Sequence, residues 1–123
     1  MNGSIARRIA GAALCAALAS PGNAAEPVAL NARVRPAVAF APATVRIEVL
    51  IETNDDNRVL QIVADSGEYL RSSVIPLEGA KAPRFHSITY RGMPAGRYEV
   101  QVSLLAPNGS VRAIERHWID LVS

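Results

Sequence analysis

Groups that could carry out chemistry are few in this sequence and do not converge. The two histidines, His86 and His117, lie far apart in the chain, whereas zinc sites usually gather three or four ligands. None of the serines lies in a Gly-x-Ser-x-Gly elbow, and the glycines stand singly at turns rather than in a phosphate-binding loop. The sequence therefore predicts a protein that is not an enzyme and holds no cofactor or metal.

The densest set of polar side chains is the run Asn54-Asp55-Asp56-Asn57. Its oxygens are the ligands that calcium prefers, although the spacing of an EF-hand is absent. The alternative is that Asn and Asp gather here because their side chains satisfy the backbone of a turn. Asn108-Gly109-Ser110 also has two interpretations. It matches a glycosylation acceptor, but Asn-Gly is a strong hairpin signal, and the hairpin interpretation is preferred.

The elements that must position these groups are short strands, with no convincing helix. From Thr44 to Glu52 the residues alternate, so that one face carries four β-branched apolar residues and the other is mostly charged. Further strands are predicted at 28–34, 37–40, 58–64, 69–77, 85–90, 97–105 and 111–122. Pro76 suggests that the strand over 69–77 lies at a sheet edge. About seven strands with regular turns favour an all-β antiparallel sandwich.

The stretch from Met93 to Val102 joins a turn to a strand through a tyrosine. Pro94 and Gly96 supply the turn, and Tyr98 begins an alternation that points it toward the core with the following valines. Sandwich domains place a tyrosine corner at this position, with the hydroxyl bonded back to nearby backbone. The stretch resembles the passage between strands E and F of the fibronectin type III and immunoglobulin-like families. The resemblance makes 44–52 strand B, 58–64 strand C and 69–77 strand C′.

The N-terminal residues have the features of a secretory signal. Arg7 and Arg8 precede an apolar run from Ile9 to Ala19, which is followed by small residues suited to cleavage. We therefore expect a cleavable signal peptide over 1–25 and a single domain over 26–123, exported to a periplasm or secreted. The run is too short for a bilayer span, so no membrane span is expected in the mature form.

Cleavage would change the charge and the redox chemistry of the chain. Without Arg7 and Arg8 the 13 Lys and Arg residues fall to 11, which equals the number of Asp and Glu residues. A neutral domain offers no bulk attraction to nucleic acid or to an anionic membrane. The only cysteine, Cys15, would be lost as well, so the domain would have no disulfide.

A rigid sandwich presents loops that can bind a partner. In a fibronectin-like order the connections 54–57, 78–83 and 107–110 would meet at one end, where Asn54 to Asn57, Lys81 and Asn108 would form a polar contact surface. Trp118, Tyr69, Tyr90 and Tyr98 are expected to be partly claimed by the core. We therefore expect an interaction or ligand-binding module whose partner the sequence does not identify. The alternatives are a periplasmic chaperone or inhibitor that pairs through the edge strand over 69–74, and a calcium-binding or enzymatic accessory domain.

Overall fold

A computed structural model describes residues 30–123, and all of the described strands pack as two facing sheets. The predicted signal peptide over 1–25 lies outside the described residues, as do the first residues of the predicted domain. The strands are β1 (Leu30–Arg35), β2 (Val38–Phe40), β3 (Ala43–Ile51), β4 (Val59–Asp65), β5 (Leu70–Pro76), β6 (Phe85–Met93), β7 (Gly96–Leu105) and β8 (Val111–Val122). One turn of 3-10 helix, Gly79–Lys81, lies in the connection between β5 and β6.

The strands divide unequally between the sheets. The small sheet has the order β1-β3-β6, and the large sheet has the order β2-β8-β7-β4-β5. All pairings are antiparallel except that between β2 and β8, which is parallel. The prediction of an all-β antiparallel sandwich is therefore confirmed for the all-β, two-sheet architecture, with eight described strands instead of about seven and with one parallel pairing. The stretches predicted at 28–34 and 37–40 are β1 and β2, which separate at Pro36, so that β1 joins the small sheet and β2 the large one.

The core lies between the sheets and follows the alternation in the sequence. Four of the five buried residues of β3 are at most 2% exposed, and the four inward residues of β7 that follow Gly96 are completely buried. These residues are Val45, Ile47, Val49, Ile51, Tyr98, Val100, Val102 and Leu104. Leu60, Ile62 and Ala64 of β4 complete the centre of the core from the large sheet. With no described cysteine, this packing carries the stability of the domain.

The strand over 69–77 was predicted to lie at an edge, and β5 is indeed the last strand of the large sheet. Its inward side chains face β6 across the open side of the sandwich. The Ser73 hydroxyl lies 2.8 Å from the Tyr90 hydroxyl, and the Arg71 guanidinium stacks 4.7 Å from the centre of the Tyr90 ring. These contacts close the sandwich between two strands that share no backbone hydrogen bond within residues 30–123.

Candidate functional site

Three connections lie at the same end of the sandwich, which we call the loop end: 52–58, 77–84 and 106–110. The first two contact each other directly, since the Gly79 amide donates to the Asn57 carbonyl at 3.0 Å and the Leu77 amide donates to the Arg58 carbonyl at 2.8 Å. The third is tied to the first at its base, where the Arg58 amide donates to the Leu105 carbonyl at 3.0 Å. The structure therefore gathers the segments that the sequence suggested as a contact surface.

Asn57 is the centre of this end and is completely buried. Its side-chain amide donates to the Glu52 carbonyl at 3.0 Å, and its side-chain oxygen accepts a hydrogen bond from the Arg112 guanidinium on β8. Buried polar groups of this kind stabilise a fold when every hydrogen-bonding position has a partner. Asn57 was predicted as part of the contact surface. That prediction is wrong for its side chain, which is buried and forms hydrogen bonds that hold the loops together.

The other predicted contact residues are exposed, but two of them shape the backbone. The Asn54 side chain accepts a hydrogen bond from the Asp56 amide at 2.8 Å, and the Asn108 side chain accepts one from the Ser110 amide at 2.9 Å. These are the local turns that Asn commonly forms. Asp55, Asp56 and Lys81 are exposed as well. The same end also carries the exposed Glu52, Arg58, Glu78 and Arg84, so its charged groups are four carboxylates, one ammonium group and two guanidinium groups.

The predicted corner residue Tyr98 lies in the core at the opposite end of the sandwich. Its hydroxyl donates to the Pro94 carbonyl at 2.8 Å, and its ring packs edge-on against Tyr69 with 6.4 Å between centroids. Burial raises the pKa of Tyr98 above its ordinary value, and Tyr69 adds to the rise while a hydrogen bond with Ser66 opposes it. The phenol is therefore held neutral as a structural group, with no exposed surface for a ligand.

The two histidines lie on different sheets, His86 on β6 and His117 on β8. The His86 ring nitrogen lies 2.8 Å from the Pro83 carbonyl oxygen, whereas His117 contacts the Glu115 carboxylate at 3.0 Å. That carboxylate also accepts a hydrogen bond from the Ala32 amide at 3.1 Å, so it joins β8 to β1. Within residues 30–123, no three His, Cys, Asp or Glu side chains are grouped as metal ligands.

The aromatic residues were expected to pack at least partly into the core. This expectation is confirmed for the tyrosines and is wrong for Trp118. The indole is 54% exposed on the outer face of β8, where the Arg97 guanidinium lies 4.9 Å from the ring centre. The alternation of β8 contained the signal, because Trp118 shares its parity with Arg116 and Asp120, whereas Ile119 and Leu121 point inward. Phe40 on the neighbouring β2 is another exposed aromatic residue that sequence analysis missed.

The outer edge of the large sheet is the rival site. The backbone edge of β5 has no partner strand in the part of the chain that the structure describes. Its outward residues include Leu70 and Val74, which are 55% and 62% exposed. An edge with exposed apolar residues is the usual acceptor of an added strand.

Comparison with known proteins shows the fold and nothing finer. No protein-family model matches the sequence, and no curated protein sequence matches it. The chain is similar to a superoxide reductase (neelaredoxin) from Ignicoccus hospitalis, at 11% identity and a TM-score of 0.52 over 74% of this chain and 79% of that one. It is also similar to a family 76 glycoside hydrolase from Bacteroides thetaiotaomicron, at 14% identity and a TM-score of 0.53 over 80% of this chain and 21% of that one.

A third similar structure is Spo0M, a sporulation control protein from Bacillus subtilis, at 11% identity and a TM-score of 0.51 over 80% of this chain and 51% of that one. The chain thus spans about a fifth of the glycoside hydrolase and about half of Spo0M. At such low identity the likeness concerns the β-sandwich architecture alone. In residues 30–123 there is also no helix with the length and apolar character needed to cross a membrane.

Proposed function

We propose that this chain is an exported interaction module that binds a partner protein or small ligand at its loop end without catalysing a reaction. The observation that carries the proposal is the buried Asn57, which ties the connections beneath Asp55, Asp56 and Lys81 into one network. Binding to a preorganised surface avoids the entropy loss of ordering loops on contact. The charged groups above this network are therefore presented to a partner in a fixed arrangement.

An immunoglobulin-like or fibronectin type III-like frame is the finer fold that we propose. It is supported by the pairing of β3 with β6 in one sheet and of β4 with β5 and β7 in the other, which matches strands B, C, C′, E and F of the resemblance. The hydrogen bond from Tyr98 to Pro94 supports it as well. Export to a periplasm is supported by the signal features of residues 1–25.

The test is a pull-down from a periplasmic extract with the exported protein as bait. The loop-end variant combines Asp55→Asn, Asp56→Asn and Lys81→Gln, which changes the net charge by one positive unit. Glu68→Gln changes the net charge equally but lies in the turn at the opposite end of the sandwich. We expect the loop-end variant to lose its partner and Glu68→Gln to keep it.

Strand addition at β5 is the second candidate, favoured by the exposed Leu70 and Val74 and by an edge that has no partner strand among residues 30–123. A variant with Leu70→Lys and Val74→Lys places charges on that edge, which discourages strand pairing while leaving the core untouched. Tyr69 is left unchanged in this variant, because its ring packs against Tyr98 in the core. If only the β5 variant loses the partner, the partner binds at the β5 edge and not at the loop end. If both variants still bind the partner, both proposed sites are refuted.

A further inference from the structure

The charges of the domain are distributed unequally between its two sheets. The strands of the small sheet carry four arginines against the single carboxylate of Glu48, whereas those of the large sheet carry four arginines and four carboxylates. The near-neutral composition of the domain therefore conceals one positive face. A local field of this kind attracts anions even when the net charge of the protein is small.

The register of the small sheet concentrates the positive charge on its outer face. Arg33 pairs with Glu48 across β1 and β3, and Arg35 pairs directly with Arg46. Thr89 of β6 lies on the other side of Arg46. All three arginines are exposed, and like charges placed directly opposite each other destabilise a sheet. An anion bound between Arg35 and Arg46 would relieve this repulsion.

These arginines form no ion pair with a described residue. The ion pairs found within residues 30–123 are those of Arg97, Arg116 and His117, all of which belong to the large sheet. Arg84, next to the small sheet where its carbonyl accepts from the Ile51 amide, forms none in that range either. The face therefore offers several guanidinium groups whose charge is not compensated within the described part of the chain.

Apolar side chains lie on the same face, next to Arg33 and four residues along β3 from Arg46. Leu50 pairs with Phe85 across β3 and β6, and their side chains are 46% and 55% exposed. Together with Asn31, Arg33 and Glu48 they line a shallow depression. Cationic groups that flank exposed aromatic and aliphatic residues are typical of surfaces that lie in the interface of a bilayer.

We propose that the outer face of the small sheet docks on the surface of an anionic lipid bilayer. Arg33, Arg35 and Arg46 contact lipid phosphates, while Leu50 and Phe85 enter the boundary between headgroups and acyl chains. The complementarity of charge identifies the phosphate layer, and the exposed apolar pair on the same face favours a bilayer over a soluble anion. The docking residues do not include Asp55, Asp56 or Lys81, so this inference does not rest on the function proposed above.

The test is co-sedimentation of the exported protein with vesicles of phosphatidylglycerol or of phosphatidylcholine. The face variant combines Arg35→Gln and Arg46→Gln. Its matched control combines Arg97→Gln and Arg116→Gln, which removes the same charge from the outer face of the large sheet. We expect the face variant to bind phosphatidylglycerol on the order of 30-fold more weakly and the control to change less than about threefold.

Two further arms separate a bilayer from other anions. Leu50→Ser with Phe85→Ser is expected to weaken vesicle binding even at high salt, where screening removes most of the arginine contribution. Soluble polyphosphate is expected to compete poorly. Equal binding to phosphatidylcholine, equal losses in the face variant and its control, or displacement by polyphosphate at low concentration would each overturn the proposal. Thermal melts of all variants verify folding, and every substituted side chain is solvent-exposed.

Discussion

Replacing Tyr98 with Phe tests the structural role of the corner, because it removes one hydroxyl and leaves the buried ring in place. The lost bond is the 2.8 Å contact with the Pro94 carbonyl, and its net contribution is of the order of 0.5–1.5 kcal/mol. Leaving a buried acceptor unpaired would add more, but Pro94 is exposed and water can replace the hydroxyl. We therefore expect the substitution to lower the free energy of unfolding by about 1 kcal/mol.

The same substitution has a signature at alkaline pH. Since burial raises the pKa of Tyr98, the unfolded chain loses this proton first, near pH 10, while the folded protein still holds it. The stability from this group is complete below the unfolded pKa and is lost as the pH rises through the folded pKa. The Phe variant has no such proton, so its stability should fall less steeply above about pH 10.

The assay is urea unfolding at neutral pH and at a series of alkaline values, with Tyr90→Phe as the matched control. Tyr90 is also buried, but its hydroxyl bonds to the partly exposed Ser73. A loss of 1 kcal/mol corresponds to a decrease in Tm of about 4–8 °C for a domain of this size. Two results would refute a buried, hydrogen-bonded phenol. One is an unchanged free energy of unfolding for Tyr98→Phe at neutral pH. The other is an equal decrease of that free energy with rising pH in the wild type and the variant.

Two predictions concern the network under the loop end. Asn57→Ala should reduce the free energy of unfolding by about 1–3 kcal/mol, because it removes the partner of a guanidinium and of a backbone carbonyl, and chemical denaturation should show no comparable loss for the exposed Asn108→Ala. Gly79→Ala should cost more than Gly67→Ala in the same assay: both glycines have positive φ, but a Cβ at Gly79 would lie 2.9 Å from the Asp55 carbonyl oxygen whereas Gly67 faces open space. An equal decrease in the free energy of unfolding for the two glycine variants would mean that Gly79 and Asp55 are not closely packed.

Strand positions and the composition of the core could be predicted from the sequence because each depends on local alternation. The predicted strand 44–52 is observed at Ala43–Ile51, and 97–105 at Gly96–Leu105. The alternation of apolar and polar residues shows which side of a strand is apolar. Only that side can face the other sheet without exposing the core. The edge position of β5 followed from Pro76, which cannot donate to a neighbouring strand.

The role of Asn57 could not be predicted in this way. In the sequence it is one of four consecutive Asn and Asp residues, and nothing local separates it from the exposed Asn54. Its partner Arg112 is 55 residues away, and the pair meets only because β8 lies beside β7, which pairs with β4. A buried polar contact formed across so many residues depends on the complete topology of the large sheet.

The positive face of the small sheet depends on register in a similar way. Arg33 and Arg35 are ordinary outward residues of β1, and a slip of two residues against β3 would keep every apolar side chain inward while placing Arg35 opposite Glu48. Hydrophobic burial alone therefore does not select the register that places Arg35 opposite Arg46. The Glu115 carboxylate of β8 does discriminate, because it accepts a hydrogen bond from the Ala32 amide at 3.1 Å and so fixes β1 along its length. A side chain on the large sheet thus helps to determine the charge pattern on the far face of the small one.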